Sequence, residues 1–341
     1  MTDSPKTTEQ MEMLANRLRK RQRHLAKWAL RTGAGVYRLY HRDIPEIPLV
    51  LDFYRSSENA VSGAIYKREY EPGTEEAGIE ENELVKNTVA EALCLDKKNV
   101  FIKTRRKQRT DQDKQDQYQK ESNINYSADI EEGGLKFRVN LSDYIDTGIF
   151  PDLRKERALI RAEAENKKVL NLFCYSAAFS VYAAAGGAKE TCSVDMSSTY
   201  LEWAKTNFIL NGFSSTNNHL LKADALRFID DAKKNNERWD IIILDPPAFS
   251  NSKKMKGNML GGTLDIKRDY KKLIASTLKL LSHNGRLYFS SGVKSFNPDT
   301  AALQNELIFN FPNIKISSIT EKIRDEDFKG RRMPLCLLIT V

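Results

Sequence analysis

Three aspartates, Asp195, Asp224 and Asp245, each follow a short run of apolar or β-forming residues: Thr191-Cys-Ser-Val, His219-Leu-Leu-Lys-Ala and Ile241-Ile-Ile-Leu. Buried parallel strands read as near-continuous apolar runs, and open α/β sheets bind their ligands at the carboxyl ends of those strands. A carboxylate at such an end accepts charge-assisted hydrogen bonds from sugar hydroxyls. Asp195 lies about twenty residues beyond another such strand, from Lys168 to Phe173, the spacing at which a Rossmann-type fold puts an acid on ribose. Single aspartates in these places also serve as helix caps, Asp195 before 197–211 and Asp224 before 225–234. Three in succession at one sheet edge point instead to a nucleoside-binding edge.

The third aspartate opens a second constellation, Asp245-Pro-Pro-Ala-Phe249. Pro246 and Pro247 fix φ and push the residues before them toward extended geometry, so the carbonyls of this turn are held stiffly and Phe249 is presented at a defined place. A planar, nitrogen-containing ring can stack on Phe249 while the carbonyls hold its edge. A rigid strand-to-loop exit is the plain alternative for an Asp-Pro-Pro taken alone. Metal chemistry has no candidate. The four cysteines Cys94, Cys174, Cys192 and Cys336 show no C-x-x-C spacing and read as buried free thiols. None of the four histidines falls in a site motif: His219 reads as a strand start, and His283, in Ser282-His-Asn-Gly285, as a helix end.

The elements that must position these residues follow from periodicity. From Pro151 onward strands and helices alternate, the pattern of a doubly wound parallel sheet. Helices are expected at 177–185, 198–211, 225–234, 266–281 and 300–310, between strands at Val169, Thr191, Leu220, Ile241 and Arg286. Two further strands, 314–319 and 335–341, close the sheet. Residues 1–150 read as a mixed α+β accessory region with a basic helix, a small β unit over 47–70, an acidic linker over 71–83, a helix to Leu95 and a hairpin around 136–141. A length of 341 residues suits this division into 1–150 and 151–341.

A formal charge of +8 is modest for the length, so its distribution matters more than its sum. Between positions 17 and 31 stand Arg17, Arg19, Lys20, Arg21, Arg23, Lys27 and Arg31, with no acid among them. Leu14, Leu18, Leu25 and Trp28 recur at helical spacing, so one face packs while the rest stays basic. A second cluster, Arg105, Arg106, Lys107 and Arg109, follows a strand-like 100–102 and leads into a polar loop carrying Tyr118. Clustered cations suit phosphate contacts and an exposed aromatic suits an unpaired base; a solvated face is the plain alternative. No apolar run approaches a membrane span and the first ten residues are polar, so a soluble cytoplasmic protein is expected.

From about Leu14 to Val341 the chain resembles the guanine-N7 methyltransferase half of the bifunctional large-subunit rRNA enzymes of the RlmKL family. The resemblance rests on Val139-Asn-Leu-Ser-Asp-Tyr-Ile-Asp-Thr-Gly-Ile-Phe150, Leu170-Asn-Leu-Phe173, Ser193-Val-Asp-Met-Ser197, Thr199-Tyr-Leu-Glu-Trp203 and Asp245-Pro-Pro-Ala-Phe-Ser-Asn-Ser-Lys253. It implies a class I, Rossmann-like α/β methyltransferase sheet with an antiparallel last strand, S-adenosyl-L-methionine as cofactor and rRNA as partner. By the same resemblance Arg154, Asn171, Phe173, Tyr175, Ser176, Ala177, Asp195, Met196, Asp224, Ala225 and Asp245 hold the cofactor, with Asp152 and Arg154 facing the site. Asp245, Pro246, Pro247 and Phe249 then serve the base, while Arg17, Arg21, Arg105, Arg106, Lys107, Arg109, Lys253 and Lys254 meet RNA. Lys253, Lys254 and Lys256 would sit on a loop running to Gly262. The chain departs from the family at Ser176-Ala177, where relatives carry Thr-Gly; a family glycine needed for close approach or positive φ would leave Ala177 weakening the donor site.

Guanine N7 has a free lone pair, so its methylation needs positioning rather than a general base, and the chemical step is expected to be nearly flat across neutral pH. Cytosine C5 methylation requires a cysteine nucleophile, which related enzymes carry after the fifth strand. This chain has Phe289-Ser-Ser-Gly-Val293 there. Methylation of an exocyclic amine and a non-catalytic assembly factor that kept the fold remain alternatives. A dinucleotide oxidoreductase needs G-x-G-x-x-G, and residues 173–180 contain no glycine.

Overall fold

The computed structural model describes residues 4–56, 61–68, 75–105, 122, 124–250, 263–294 and 296–341. Arg106, Lys107, Arg109, Tyr118, Lys253, Lys254 and Lys256 lie outside the described residues, and of Arg105 only the backbone is described. The chain divides into two compact units, Met1–Pro151 with Glu326–Arg331, and Asp152–Asp325 with Arg332–Val341.

The first unit starts with helix α1 (Ser4–Thr32), whose stripe Leu14, Leu18, Leu25 and Trp28 is buried as its spacing requires. Strands β1 (Val36–His41), β2 (Val50–Arg55) and β3 (Val61–Arg68) form an antiparallel meander. Helix α2 (Glu75–Leu93) then crosses over, so that β4 (Val100–Arg105) pairs parallel to β3. Much of the stretch read as an acidic linker is therefore the first half of α2. Its acidic composition hides the helix, while Val85 and Val89 on the following turns bury against the same core as α1. The strand β1 had no clear alternation to betray it. A hairpin, β5 (Ser127–Glu132) and β6 (Leu135–Asn140), turns through Gly133 and Gly134 at φ 60 and 77, the left-handed pair that a two-residue hairpin turn demands. Residues 326–331 fold back into this unit: buried Asp327 accepts from the Arg38 amide at 3.0 Å, and Arg331 pairs with Asp43 at 3.1 Å.

The second unit is a seven-stranded sheet. In chain order it holds α3 (Arg154–Glu163), β7 (Lys168–Leu172), α4 (Ala178–Ala185), β8 (Glu190–Asp195), α5 (Ser198–Leu210), β9 (Asn218–Lys222), α6 (Ala225–Lys234) and β10 (Trp239–Leu244). A small pair, β11 (Phe249–Ser250) and β12 (Leu264–Asp265), precedes α7 (Ile266–Leu278), β13 (Leu281–Ser291), α8 (Thr300–Leu307), β14 (Lys315–Ser318) and β15 (Leu335–Thr340). The spatial order is β14-β15-β13-β10-β7-β8-β9. From β9 to β13 neighbours run parallel, and β15 runs antiparallel to both β13 and β14.

Side-chain alternation splits this sheet into two faces. Leu170, Leu172, Ile242, Leu244, Leu287 and Phe289 pack with Leu226, Ile229, Leu273 and Leu303 of α6, α7 and α8. The opposite face meets α3 and α4, where Asn171 donates to Ser180 at 2.9 Å and Tyr288 to Glu163 at 2.7 Å. Close packing of those two helices is imposed at Gly186, where an added Cβ would fall 2.1 Å from the Arg161 carbonyl oxygen. The Ser282–Gly285 segment is not a helix end. It lies inside β13 as a bulge: the register passes from Trp239↔Leu281 to Ile241↔Arg286, and Asn284 takes a φ of 60.

Candidate active site

Strand order reverses between β7 and β10, and a reversal of this kind opens a crevice at the carboxyl ends of the two strands. Leu172 pairs with Leu244, so Phe173 and Asp245 leave the sheet side by side. The loop after β7 is strained. Phe173, Tyr175 and Ala177 hold φ values of 60, 52 and 55, a left-handed conformation that costs a non-glycine residue about 1 to 2 kcal/mol each. Surrounding bonds enforce it: Cys174 N donates to Val194 O at 3.1 Å, Ala177 N to Cys174 O at 2.8 Å, and the Asn207 amide to Ser176 O at 2.9 Å. The Tyr175 ring packs edge-on to Tyr200 and Trp203, with centroids 4.7 and 5.8 Å away. The amides of Cys174, Tyr175 and Ala177 are thus used within the fold, and α4 begins just beyond with no side-chain cap.

Asp195, at the end of β8, accepts from Tyr175 N at 3.0 Å and from Ser197 N at 2.8 Å, one bond to each oxygen. Each oxygen keeps a second lone pair for a hydroxyl. Burial raises its pKa, and the amides of Ser197, Tyr175 and Met196 oppose the rise. The cap of α5 is Ser197 rather than Asp195, which leaves the carboxylate to bind the loop. Asp224 does cap its helix, accepting from Leu226 N at 3.0 Å, with Ala225 buried behind it. A cavity of about 490 Å³ runs from the end of β9 along α6, lined by Met196, Ala223, Asp224 and Phe228 at one end and by Asn235 and Glu237 at the other; Asp195 lies outside its lining.

Beyond β10, Pro246 is buried, Pro247 and Phe249 are half-buried, and every peptide bond here is trans. The turn is tied at its far end by Ile266 N donating to Ala248 O at 3.1 Å and by the pairing of Phe249 with Asp265. Burial pushes Asp245 up to about 6; the Ser290 hydroxyl opposes the shift and the Asp152 charge adds to it.

Some expected ligands are committed elsewhere. Arg154 is buried and pairs with Asp325 at 2.9 Å, so its charge is spent inside the unit rather than offered to a cofactor. The buried Asn171 amide anchors α4 through Ser180, which also receives Ser193 at 2.7 Å. In the first unit Arg17 pairs with Asp43 at 2.8 Å, and half-buried Arg21 donates to Leu39 O at 3.3 Å. A count of charges along the sequence does not disclose these acceptors. Two residues had no expected role, Glu156 and Ser290; with Cys336, expected as a buried free thiol, they are buried on the face that Asp245 continues. Glu156 stands in a Lys-Glu-Arg run that reads as a solvated helix face, and nothing in its spacing marks it as interior.

Residues 63–317 match the family model described as S-adenosylmethionine-dependent methyltransferase. Ribosomal RNA large subunit methyltransferase K of Neisseria meningitidis is 38% identical over 322 residues, 94% of this chain and 85% of that one. Ribosomal RNA large subunit methyltransferase K/L of Methylococcus capsulatus is 40% identical over 298 residues, 86% of this chain but 39% of that one. The chain thus spans about two-fifths of the K/L relative. Among solved structures, a putative methyltransferase complexed with SAH aligns at a TM-score of 0.71 with 21% identity, covering 97% of this chain and 82% of that one. A putative SAM-dependent methyltransferase from Streptococcus mutans aligns at 0.69 with 22% identity, covering 97% and 81%. At such identities the likeness is one of fold.

The strained loop yields a first prediction. Ala177 already holds the left-handed conformation, so replacing it with glycine gives no new geometry. Relief of about 1 to 2 kcal/mol of strain is offset by about 0.4 to 1 kcal/mol of extra freedom in the unfolded chain and by about 0.8 kcal/mol for the lost buried methyl. Ala177→Gly should therefore stay within about 1 kcal/mol of the parent in denaturant unfolding and bind S-adenosylmethionine equally well. Ala177→Val, a β-branched residue at positive φ, should lose more than about 2 kcal/mol. A gain of tenfold or more in donor affinity with glycine would mean that alanine does impair the site.

Proposed function

The chain belongs to the S-adenosylmethionine-dependent methyltransferases, and from that membership we propose that it methylates guanine N7 in large-subunit ribosomal RNA. The observation that carries this reading is the Asp245-Pro-Pro-Ala-Phe249 turn emerging beside the 173–177 loop where strand order reverses. Bound at that edge, the cofactor supplies a methyl group on a sulfonium. The open start of α4, which has no side-chain cap, suits its carboxylate. Asp195 suits the ribose hydroxyls, and Met196, Asp224, Ala225 and Phe228 suit the adenine. Phe249 stacks the target base and the turn carbonyls hold its edge, which places the ring nitrogen in line with the methyl group.

The cysteines of this unit favour nitrogen over carbon. Burial raises the Cys174 thiol well above its ordinary range and Cys192 to about 12, and Cys336 is raised as well, so none of the three is a ready thiolate nucleophile. Methyl transfer to N7 moves positive charge from sulfur onto the purine, and an ionised Asp245 beside the turn is of the right sign to stabilise it.

RNA contact is assigned to a different set of α1 residues from the one first expected. With Arg17 and Arg21 engaged internally, the exposed cations of that helix are Arg19, Lys20, Arg23, Lys27 and Arg31. Arg19, Arg23, Lys27 and Arg31 repeat every fourth residue, a row about 18 Å long at 1.5 Å per residue. Such a row suits consecutive backbone phosphates.

Two measurements test this function. Mass spectrometry of nucleosides from large-subunit rRNA incubated with the protein and S-adenosylmethionine should show 7-methylguanosine, and Phe249→Ala should bind the cofactor normally yet lose at least tenfold in single-turnover rate. A methylated exocyclic amine or cytosine C5 would replace the N7 assignment. Alanine at Arg19, Arg23, Lys27 and Arg31 together should lower the slope of log affinity for rRNA against log salt by about 3, with cofactor affinity unchanged. An unmoved slope would make that face merely solvated.

A further inference from the structure

The row in which Asp245 stands holds a second carboxyl that the reaction does not use. Leu244 pairs with Phe289, so Asp245 and Ser290 follow at one level, and Ser290 pairs in turn with Cys336. All three continue the sheet face covered by α3. From that helix Glu156, with 0% of its surface exposed, accepts a hydrogen bond from Cys336 Sγ at 3.4 Å through Oε2. Its other oxygen, Oε1, is buried and has no hydrogen-bond partner among the described residues. An ionised carboxylate left so poorly solvated is costly, whereas the neutral acid is tolerated.

The groups around Glu156 make a second charge there worse. Asp245 faces it from the end of β10 and Asp152 from the segment before α3; Cys336 contributes a weak donor from β15. Arg157, the next residue on α3, is the one cation among the groups acting on it. That guanidinium is itself buried over the rings of Phe179 and Tyr182, at 6.0 and 5.7 Å. The neighbouring Arg154 is paired with Asp325.

We propose that Glu156 is a positioning residue for methyl transfer, the neutral partner that keeps the row at one negative charge, carried by the half-buried Asp245. This rests on the assignment of the Asp245 turn to the acceptor base. One fixed negative charge suits a reaction in which a single positive charge passes from sulfur to the ring. A second would repel Asp245 within the row and shift the turn that presents Phe249. Loss of the Glu156 proton to solvent is then an alkaline off-switch. Burial first, and the Asp245 charge second, push this carboxyl up to about 8, so at pH 9 about nine in ten molecules carry the second charge.

The sign of the stability effect follows from linkage. A carboxyl whose pKa is raised on folding contributes stability that is fully present below its ordinary value of 4.5 and is lost as pH rises through about 8. Asp245 does the same between its ordinary 3.8 and about 6. The wild-type melting temperature should therefore fall in two stages. In E156Q the upper stage should vanish while the lower one remains; in Asp245→Asn the lower stage should vanish and the upper one should move to lower pH, since the Asp245 charge is one cause of the Glu156 rise.

Single-turnover rates at saturating cofactor, measured from pH 7 to pH 9, complete the test. The wild-type rate should drop about tenfold over that range, E156Q should keep a nearly constant ratio between the two pH values, and E156A should be impaired throughout. An upper thermal stage or an alkaline limb that persists unchanged in E156Q overturns the proposal, as does a uniform loss of rate in E156Q with the limb intact, which is what a purely structural role would give. Should E156Q fail to fold, infrared titration of the wild type decides: the carbonyl band of a protonated buried carboxyl is expected at pH 7 and should fade through about 8, and its absence at pH 7 overturns the proposal. The thermal and infrared readouts need no methyl transfer, so failure of the N7 assignment alone leaves them standing.

Discussion

Everything in the second unit depends on parallel pairing of β7 with β10 at the point where strand order reverses. That pairing fixes which residues leave the sheet together, and each element of the site is defined by its distance from it. Phe173 opens the strained loop on one side and Asp245 opens the proline turn on the other. The loop survives its strain because Val194 and Asp195 of β8 and Asn207 of α5 hold its backbone. Strain of this kind is stored where packing over-determines the chain, and here it fixes the loop that leads into α4.

A second consequence of register is electrostatic. The level occupied by Asp245 passes through Ser290 to Cys336, and α3 lays Glu156 across it. Burial therefore sets the protonation of two carboxyls in one row, with the turn acid pushed up to about 6 and the helix acid to about 8. In the first unit the sign is opposite: α1 spends two of its arginines on Asp43 and Leu39 and leaves a basic row outward. An anionic reacting site and a cationic surface are what a positively charged donor and a polyanionic substrate require.

How much of this was legible in the sequence varies with the physics behind each signal. Buried parallel strands announce themselves as apolar runs, and 168–172, 190–195 and 239–244 match their expected places with small differences at the ends, the last two with their closing Asp195 and Asp245. The helix 225–234 was read to the residue because Asp224 caps it. Periodicity gave the packed stripe of α1 but could not tell which arginines find acceptors, since Asp43 lies many residues away. Ser282–Gly285 looked like a helix end because Asn-Gly is turn-forming; only tertiary pairing makes it a bulge inside β13. Glu156 was invisible for a deeper reason: α3 buries Arg154, Glu156 and Arg157 while leaving Ala158 exposed, the inverse of what hydropathy expects.

The central claim is that the cofactor sits on the carboxyl edge between β7 and β8, with its ribose on Asp195. Calorimetry of S-adenosylmethionine binding to the wild type and to Asp195→Ala, with folding checked by circular dichroism, tests this most directly. Two charge-assisted bonds of about 1.5 to 3 kcal/mol each correspond to a loss of at least about a hundredfold in affinity. One-to-one binding by the wild type and no measurable binding by the folded variant is the predicted result. Equal affinity in the two proteins would contradict the placement of the donor.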